Sequence, residues 1–241
     1  MAEGGRMLAE VLHALRGEVH AGVVTLDLDR MARELILARG AKPAFLHYRP
    51  AGAVRAYPYT LCTSVNDVVV HGQPSKYALR EGDILKLDLG LQYKGLYLDA
   101  AITVPVGEVS REARKLIVAT EEALSAGIKE AKAERTLGDV GFAIEKVVKK
   151  NKFSVVDGLT GHGIGRALHE DPTVFNVGRK GVGEELEVGM VLAIEPMVAI
   201  GGSAIRQLLD ESYGTADVSL AAHFEHTVAI TESGPRILTK M

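Results

Sequence analysis

The chain has 241 residues, 47% of them apolar, so it is long enough to bury a substantial hydrophobic core. Its formal net charge is −3, and acidic and basic residues are interspersed along it, which argues against direct nucleic-acid binding. The single cysteine, Cys62, excludes an internal disulfide and a cysteine-based zinc module, and it suits a reducing compartment such as the cytoplasm.

The N-terminal part of the chain predicts two amphipathic helices. Apolar residues recur at helical spacing from Arg6 to Gly17, and the pattern repeats from Thr25 to Arg39. Acids and bases among the apolar residues of the first segment argue against a signal peptide or a membrane span. No other stretch is apolar enough to span a membrane, so no membrane partner is expected.

Residues 53 to 106 predict strands and hairpins, because β-branched and aromatic runs alternate with turn-forming pairs. Those pairs are Asn66-Asp67, His71-Gly72, Gly82-Asp83 and Lys94-Gly95. The helical pattern then returns from Ser110 to Lys132 and from Thr136 to Lys150. Glycine-rich strands are predicted from Val155 to the end of the chain.

The order of elements, helix, helix and sheet twice over, suggests an internal duplication. At an offset of 111 residues Thr25, Leu26, Ala32 and Glu34 fall on Thr136, Leu137, Ala143 and Glu145. Two unrelated amphipathic helices with similar caps would give the same identities. We expect an α+β fold whose halves, about 1–108 and 109–241, share one antiparallel sheet with helices on one face, forming a single domain over 1–241.

Two acidic residues, Asp88 and Asp99, lie in alternating segments joined through a favourable turn pair, Lys94-Gly95. In that register Asp88 pairs with Ala101, so Asp99 lies diagonally across from it on the same face, about 7–8 Å away between backbones. Burial of two neighbouring acids is costly unless cations neutralise them. Taken alone, the pair also fits a solvent-facing strand with two ordinary acids.

Three more polar residues interrupt apolar or glycine-rich segments of the C-terminal half. His162 is flanked by glycines that let the backbone turn sharply, although a structural histidine fits the same pattern. Glu195 and Glu225 each interrupt a strand-like apolar run, where a buried acid requires a partner. A structural salt bridge is the alternative for both. Lysine and arginine are scarce beside these segments, which favours a metal ion as that partner.

Together these residues offer four carboxylates and one imidazole, without a thiolate. Such a set favours divalent Mn, Fe, Co or Zn over a structural zinc. The excess of negative charge suggests two ions. Two ions a few Å apart can activate a bridging water and polarise a carbonyl, which is the chemistry of amide hydrolysis.

Five motifs at these positions resemble the type I methionine aminopeptidases, which have the duplicated pita-bread fold, over nearly the whole chain. The motifs are CTSVNDVVVHGQP at 62–74, KLDLG at 86–90, GHGIGRALHEDP at 161–172, IEPM at 194–197 and HFEHT at 223–227. The resemblance implies that Asp99, His162, Glu195 and Glu225 hold one ion. Asp88 would hold the other together with Asp99 and Glu225, and Glu195 would also transfer a proton from the water.

The same resemblance implies substrate contacts by His71, near the scissile amide nitrogen, and by His169, near the developing oxyanion. Tyr57, Cys62, His71 and Leu168 would line the methionine pocket. The chain departs from the family pattern there: it has no tryptophan, which Tyr213 only loosely replaces. Leu168 and Val54 stand where larger aromatic residues are common, and Ala51 replaces a small polar residue. A wider or less rigid pocket is therefore expected.

By resemblance, the expected substrate is the initiator methionine of nascent chains, cleaved by a monomer, with ribosome association left open. Two rival functions remain. An X-Pro aminopeptidase or dipeptidase would share all five metal ligands, but such enzymes normally carry an extra N-terminal domain that is not expected here. A non-catalytic pita-bread binding protein is the other alternative. Such relatives are expected to have lost metal ligands, whereas all five are present in this sequence.

Overall fold

A computed structural model describes residues 1–49 and 54–240. All four predicted helices are confirmed: α1 Ala2–Gly17, α2 Thr25–Ala38, α3 Arg111–Glu130 and α4 Leu137–Lys150. Helix α1 begins at Ala2 rather than at the predicted Arg6. Its first turn contains Gly5, where a Cβ would lie 2.1 Å from the Leu238 carbonyl oxygen. Close backbone packing therefore holds this turn, which a pattern of apolar side chains does not reveal.

The predicted strands of the N-terminal half form a hairpin-rich unit. They are β2 Leu61–Val65, β3 Val68–Val70, β4 Ile84–Tyr93 and β5 Leu96–Pro105, preceded by a short strand that was not predicted, β1 Lys42–Pro43. The C-terminal half carries shorter strands: β6 Ser154–Val155, β7 Gly161–Gly163, β8 Glu170–Val174, β9 Val191–Ile194, β10 Met197–Ala199, β11 Ile205–Gln207, β12 Tyr213–Thr215, β13 Ala221–His223, β14 Glu225–Thr231 and β15 Gly234–Ile237. Helix, helix and strands thus follow one another twice, as predicted.

Nine strands form one sheet in which the order β1-β4-β5-β14-β9-β7-β8 is joined by β2 beside β4 and β15 beside β14. The strand pairings are antiparallel. Two three-stranded sheets, β13-β10-β6 and β11-β12-β3, accompany the single sheet that was expected. The first of them arises because β9 and β14 are interrupted: Glu195 and Pro196 separate β9 from β10, and Phe224 separates β13 from β14.

The helices lie on one face of the nine-stranded sheet. Helices α1 and α2 pack on leucines of β4 such as Leu87 and Leu89, whereas α3 and α4 pack on Ile194 and Val228. Ile102 contacts the buried residues under both pairs of helices. Because side chains alternate along a strand, the residues between these positions point to the opposite face, which is left for a site.

No helix within residues 1–49 and 54–240 is both long enough and apolar enough to cross a membrane.

Candidate metal centre

The hairpin of β4 and β5 brings Asp88 and Asp99 to the same face, in the predicted register. Asp88 pairs with Ala101, and Asp99 lies opposite Gly90. The turn residues Lys94 and Gly95 both have positive φ, 52° and 80°, which is the geometry of a tight hairpin turn that matches strand twist. The diagonal arrangement of the two acids follows from this turn and from strand alternation.

Neighbouring strands add Glu225 and His162 to that face. Ala101 of β5 pairs with Glu225, the first residue of β14. Two strands further on, His162 of β7 pairs with Ala193 of β9. The residues between the polar side chains are small, so carboxylates and imidazole can approach one another above the sheet.

His162 is held by close backbone packing. A Cβ at Gly161 would lie 2.2 Å from the Ala193 carbonyl oxygen, and one at Gly163 would lie 2.1 Å from that of Asp171. The glycines therefore serve close approach of strands rather than the sharp turn that the sequence suggested. The His162 Nδ1 lies 2.8 Å from the Gly163 carbonyl oxygen, an arrangement in which Nδ1 donates and Nε2 is left as an electron-pair donor.

Glu195 enters the site at the break between β9 and β10. Pro196, which has no N–H to donate, follows it, and the Glu195 carbonyl oxygen accepts a hydrogen bond of 3.0 Å from the Asn176 amide. The side chain turns toward two imidazoles: its Oε1 lies 3.4 Å from His162 Nε2 and its Oε2 lies 3.5 Å from His223 Nε2.

Two overlapping groups of donor atoms result. Atoms of Asp99, His162 and Glu225 lie within 4.8 Å of one another, and so do atoms of Glu195, His223 and Glu225. Asp88 lies beside them and interacts electrostatically with Asp99 and Glu195. The structure therefore brings together all five residues that the sequence singled out, with Glu225 common to both groups.

The cluster is electrostatically strained without a cation. Burial, as the largest cause, raises the pKa of Asp88 to about 7 and that of Asp99 and Glu225 well above the ordinary value, and repulsion between the acids adds to the last two shifts. Burial alone raises the pKa of Glu195. Each shift reflects a carboxylate that lacks compensation for lost hydration.

The residues present fit a divalent metal. Asp88 Oδ1 and Glu225 Oε1 are buried oxygens with no hydrogen-bond partner among the described residues, which is costly unless another group compensates them. Lys86, two residues before Asp88, donates to backbone carbonyls instead of these carboxylates. Oxygen and imidazole donors without a thiolate match a hard or borderline divalent ion.

His223 is a site residue that the sequence reasoning missed. It is 1% exposed, and within the part of the chain that the structure describes neither ring nitrogen has a hydrogen-bond partner. Burial, as the largest cause, lowers its pKa to about 4, so the ring is neutral near pH 7. The residue lies in the HFEHT motif, and its strand position two residues before Glu225 was the available signal, because alternation gives both the same face.

His71 and His169 lie at the edge of the metal cluster. His71 follows β3 with a positive φ of 61°, and its ring packs edge-on against Tyr213 at 6.0 Å between centroids. The His169 ring lies 4.3 Å from that of His162, and its Nδ1 lies 2.6 Å from the hydroxyl oxygen of Tyr48. Burial lowers the pKa of both His71 and His169 to about 4.

Cys62 and Leu168 pack together with Phe45 and Tyr57 in what we call the apolar cluster. Cys62 pairs with Asp88 across β2 and β4, so this cluster borders the metal centre directly. The Tyr57 hydroxyl lies 3.0 Å from the Leu61 carbonyl oxygen. Phe45, like Tyr48, was missed because no motif surrounds it. Val54 is exposed, and Ala51 lies outside the described residues.

A cavity of about 610 Å³ opens over the metal centre. Its lining includes Asp88, His162 and Glu195 of the metal cluster as well as His71 and His169. The cavity therefore opens the carboxylates to a small molecule, with His71 and His169 beside them.

The fold and this cluster define a metal-dependent peptidase of the pita-bread type. The sequence matches metallopeptidase family M24 over residues 1–232, and the chain belongs to that family. Dependence on a divalent metal follows from family membership together with the clustered donors.

Within the family, the chain is similar to methionine aminopeptidases over nearly their whole length. It is 46% identical over 240 residues to the methionine aminopeptidase of Clostridium perfringens, covering 99% of this chain and 94% of that one. The crystal structure of the Thermotoga maritima methionine aminopeptidase matches with a TM-score of 0.95 at 41% identity, covering 100% and 95% of the two chains.

A prolidase from Pyrococcus furiosus matches with a TM-score of 0.80 at 22% identity, covering 100% of this chain and 63% of that one. At that identity the likeness concerns the fold alone. The predicted pita-bread fold is confirmed.

Proposed function

We propose that the protein is a methionine aminopeptidase that removes the N-terminal methionine of peptides and nascent proteins in the cytoplasm. The observation that carries this proposal is the convergence of three acids and an imidazole, Asp99, Glu195, Glu225 and His162, in a chain 40–46% identical to methionine aminopeptidases. Asp88 borders the same cavity. The prolidase likeness, at 22% identity, concerns the fold alone and does not favour the X-Pro alternative.

The site would take two divalent ions, drawn from Co, Mn, Fe and Zn. Asp99, His162, Glu195 and Glu225 would hold one of them. Asp88 would hold the other together with Asp99 and Glu225. When bound, the ions supply an activated water and an electrophile for the scissile carbonyl.

The chain's own residues move the protons and hold the substrate. Glu195 accepts the proton of the attacking water and delivers it to the amine nitrogen as the C–N bond breaks, so that one water is consumed for each bond cleaved. His71 is neutral near pH 7, because burial lowers its pKa to about 4, and serves as a hydrogen-bonding group beside the amide nitrogen. His169 stabilises the negative charge that develops on the carbonyl oxygen.

The apolar cluster of Phe45, Tyr57, Cys62 and Leu168 provides the contact area that a methionine side chain requires, beside the attacked carbonyl. An unbranched, polarisable thioether adapts to irregular apolar surroundings. His71 joins this substrate-binding set through its place in the cavity lining.

A peptide assay with defined metals tests the proposal. Metal-free protein is prepared with a chelator, reloaded with Mn or Co, and supplied with Met-Ala-Ser or Ala-Pro-Ala. We expect release of methionine from the first peptide only, and none before reloading. Cleavage of only the proline peptide would support the prolidase-like alternative, and a protein that binds no divalent ion at micromolar free metal would support the binding-protein alternative.

A further inference from the structure

A lysine is buried in the middle of the sheet, two residues before Asp88. Lys86 is 1% exposed and is the largest of the fully buried side chains among the described residues. It lies between Ser64 of β2 and Thr103 of β5 and shares the face of Asp88. Because a buried ammonium group is costly in free energy, its retention in such a position calls for specific partners.

The partners of Lys86 are backbone carbonyl groups. Its Nζ donates to the carbonyl oxygens of Asn66, at 2.6 Å, and Ala221, at 3.0 Å. Within residues 1–49 and 54–240 no carboxylate lies within ion-pairing distance of it. The charge is therefore compensated by these oriented carbonyl dipoles together with the electrostatic attraction of Asp67 and Asp83. Carbonyl oxygens are also good ligands of small monovalent cations.

Both carbonyls belong to segments that carry site residues. Asn66 lies in the turn between β2 and β3, and β3 leads directly to His71. Ala221 opens β13, which ends at His223 just before Glu225. The two segments also meet each other, since the Ala221 N–H donates to the Asn66 carbonyl oxygen at 3.1 Å.

A second contact fixes the same segment to the sheet. The Thr103 hydroxyl donates to the His223 carbonyl oxygen at 2.7 Å and accepts from the His223 N–H at 2.9 Å. Thr103 pairs with Lys86 across β4 and β5. Lys86 and Thr103 thus form neighbouring attachments for β13, and Lys86 is the one that reaches the His71 segment as well.

From this geometry we infer that Lys86 is a positioning residue, a tethered cation that holds the His71 and Glu225 segments in register with Asp88. The inference rests on the proposed function for the roles of those residues. A group that orients metal ligands without touching the metal typically changes metal affinity 10–100-fold when it is removed.

Lys86→Met tests the inference, with Lys115→Met as the matched control. Methionine keeps most of the volume, and apolar replacement of a buried charge is often tolerated by the fold. Lys115 also donates to a backbone carbonyl, that of Asn151 at 2.9 Å, but lies far from the site on α3. Calorimetric titration of the metal-free proteins with Mn²⁺ gives the dissociation constant, and melting temperature and the separate kcat and KM are measured on the same samples.

We expect Lys86→Met to bind Mn²⁺ at least about tenfold more weakly and to change kcat, by lowering it, more than it changes KM. Lys115→Met should match the wild type. A lowered melting temperature with unchanged Mn²⁺ affinity and kcat would overturn the inference, because it would show a structural role only. If metal affinity falls as expected but no methionine is released by the wild type, the inference stands and the proposed function fails.

A truncated variant tests the cationic character. Lys86→Ala leaves room beside the two carbonyl oxygens, so ammonium chloride is expected to restore most of the lost Mn²⁺ affinity. Tetramethylammonium chloride at equal ionic strength has no N–H to donate and is expected to restore none. Equal Mn²⁺ affinity of Lys86→Ala in the two salts would contradict the role of a carbonyl-bound cation.

Discussion

The metal centre and the apolar cluster meet at paired strand positions, Asp88 and Cys62, yet they are stabilised by opposite means. In the metal centre, buried acids repel one another and leave oxygens without partners. In the apolar cluster, Leu168 and Cys62 are closely packed and almost fully buried. The first region requires a ligand to offset its charge, whereas the second is held by its own contacts. Substitutions in the two regions should therefore fail in different ways.

The largest effect is expected from Asp99→Ala. Asp99 is shared by both proposed ions, so its removal should abolish metal binding and activity while removing a source of repulsion from the metal-free fold. Elemental analysis and the Met-Ala-Ser assay measure the two losses, and Glu121→Ala on the surface of α3 is the control. Wild-type metal content and activity in Asp99→Ala would refute the site.

His71→Ala separates catalysis from metal binding. The histidine lines the cavity but belongs to neither group of clustered donor atoms. We expect kcat to fall by about a hundredfold, as for the loss of an acid–base or electrostatic group, with metal content unchanged. His13→Ala, an exposed position on α1, should behave like the wild type. A parallel fall of metal content and kcat would instead make His71 a ligand.

His223 should affect the metal centre through Glu195, whose carboxylate lies 3.5 Å away. His223→Leu removes the ring nitrogens and is expected to weaken Mn²⁺ binding by about 10–100-fold. His223→Gln keeps an N–H donor and should retain most of the affinity. Calorimetric titration of the two variants with Mn²⁺ measures both affinities. Equal Mn²⁺ affinities in His223→Leu and His223→Gln would exclude an orienting hydrogen bond from His223.

The smallest effect on the reaction is expected in the apolar cluster. Leu168→Ala removes contact area for the methionine side chain, so KM for Met-Ala-Ser should rise by about tenfold while Mn²⁺ affinity stays the same. The buried position also implies a lower melting temperature. Leu209→Ala, at a fully exposed leucine, is the control. An unchanged KM of Leu168→Ala for Met-Ala-Ser would show that Leu168 does not contribute to substrate binding.

Local regularity explains which parts of the site were readable from the sequence. The placement of Asp88 and Asp99 on the same sheet face was predictable from one turn and from the alternation of side chains along a strand. The helices were predictable because their apolar faces repeat and their caps are local; Thr136, for example, forms a capping box with Asp139. These features depend on residues close together along the chain.

Other parts of the site depend on long-range packing. Tyr48 reaches His169 from a segment 121 residues away, and Phe45 meets Leu168 only in the folded state. Lysine and arginine are scarce in the sequence beside Glu195 and Glu225, but Lys86 lies two positions from Asp88, and only its carbonyl partners show that its Nζ is directed away from the carboxylates. Such partnerships leave no periodic pattern.

The most direct test of the account is calorimetric titration of the metal-free wild type with Mn²⁺ at a series of pH values. Burial raises the pKa of Asp88 to about 7, so protons compete with the metal for this carboxylate below that pH and leave it free to bind the metal as the pH rises. We predict two equivalents of Mn²⁺ per chain, bound more tightly as the pH rises through about 7. Absence of binding at micromolar free metal, or an affinity independent of pH, would contradict a metal centre built from these buried carboxylates.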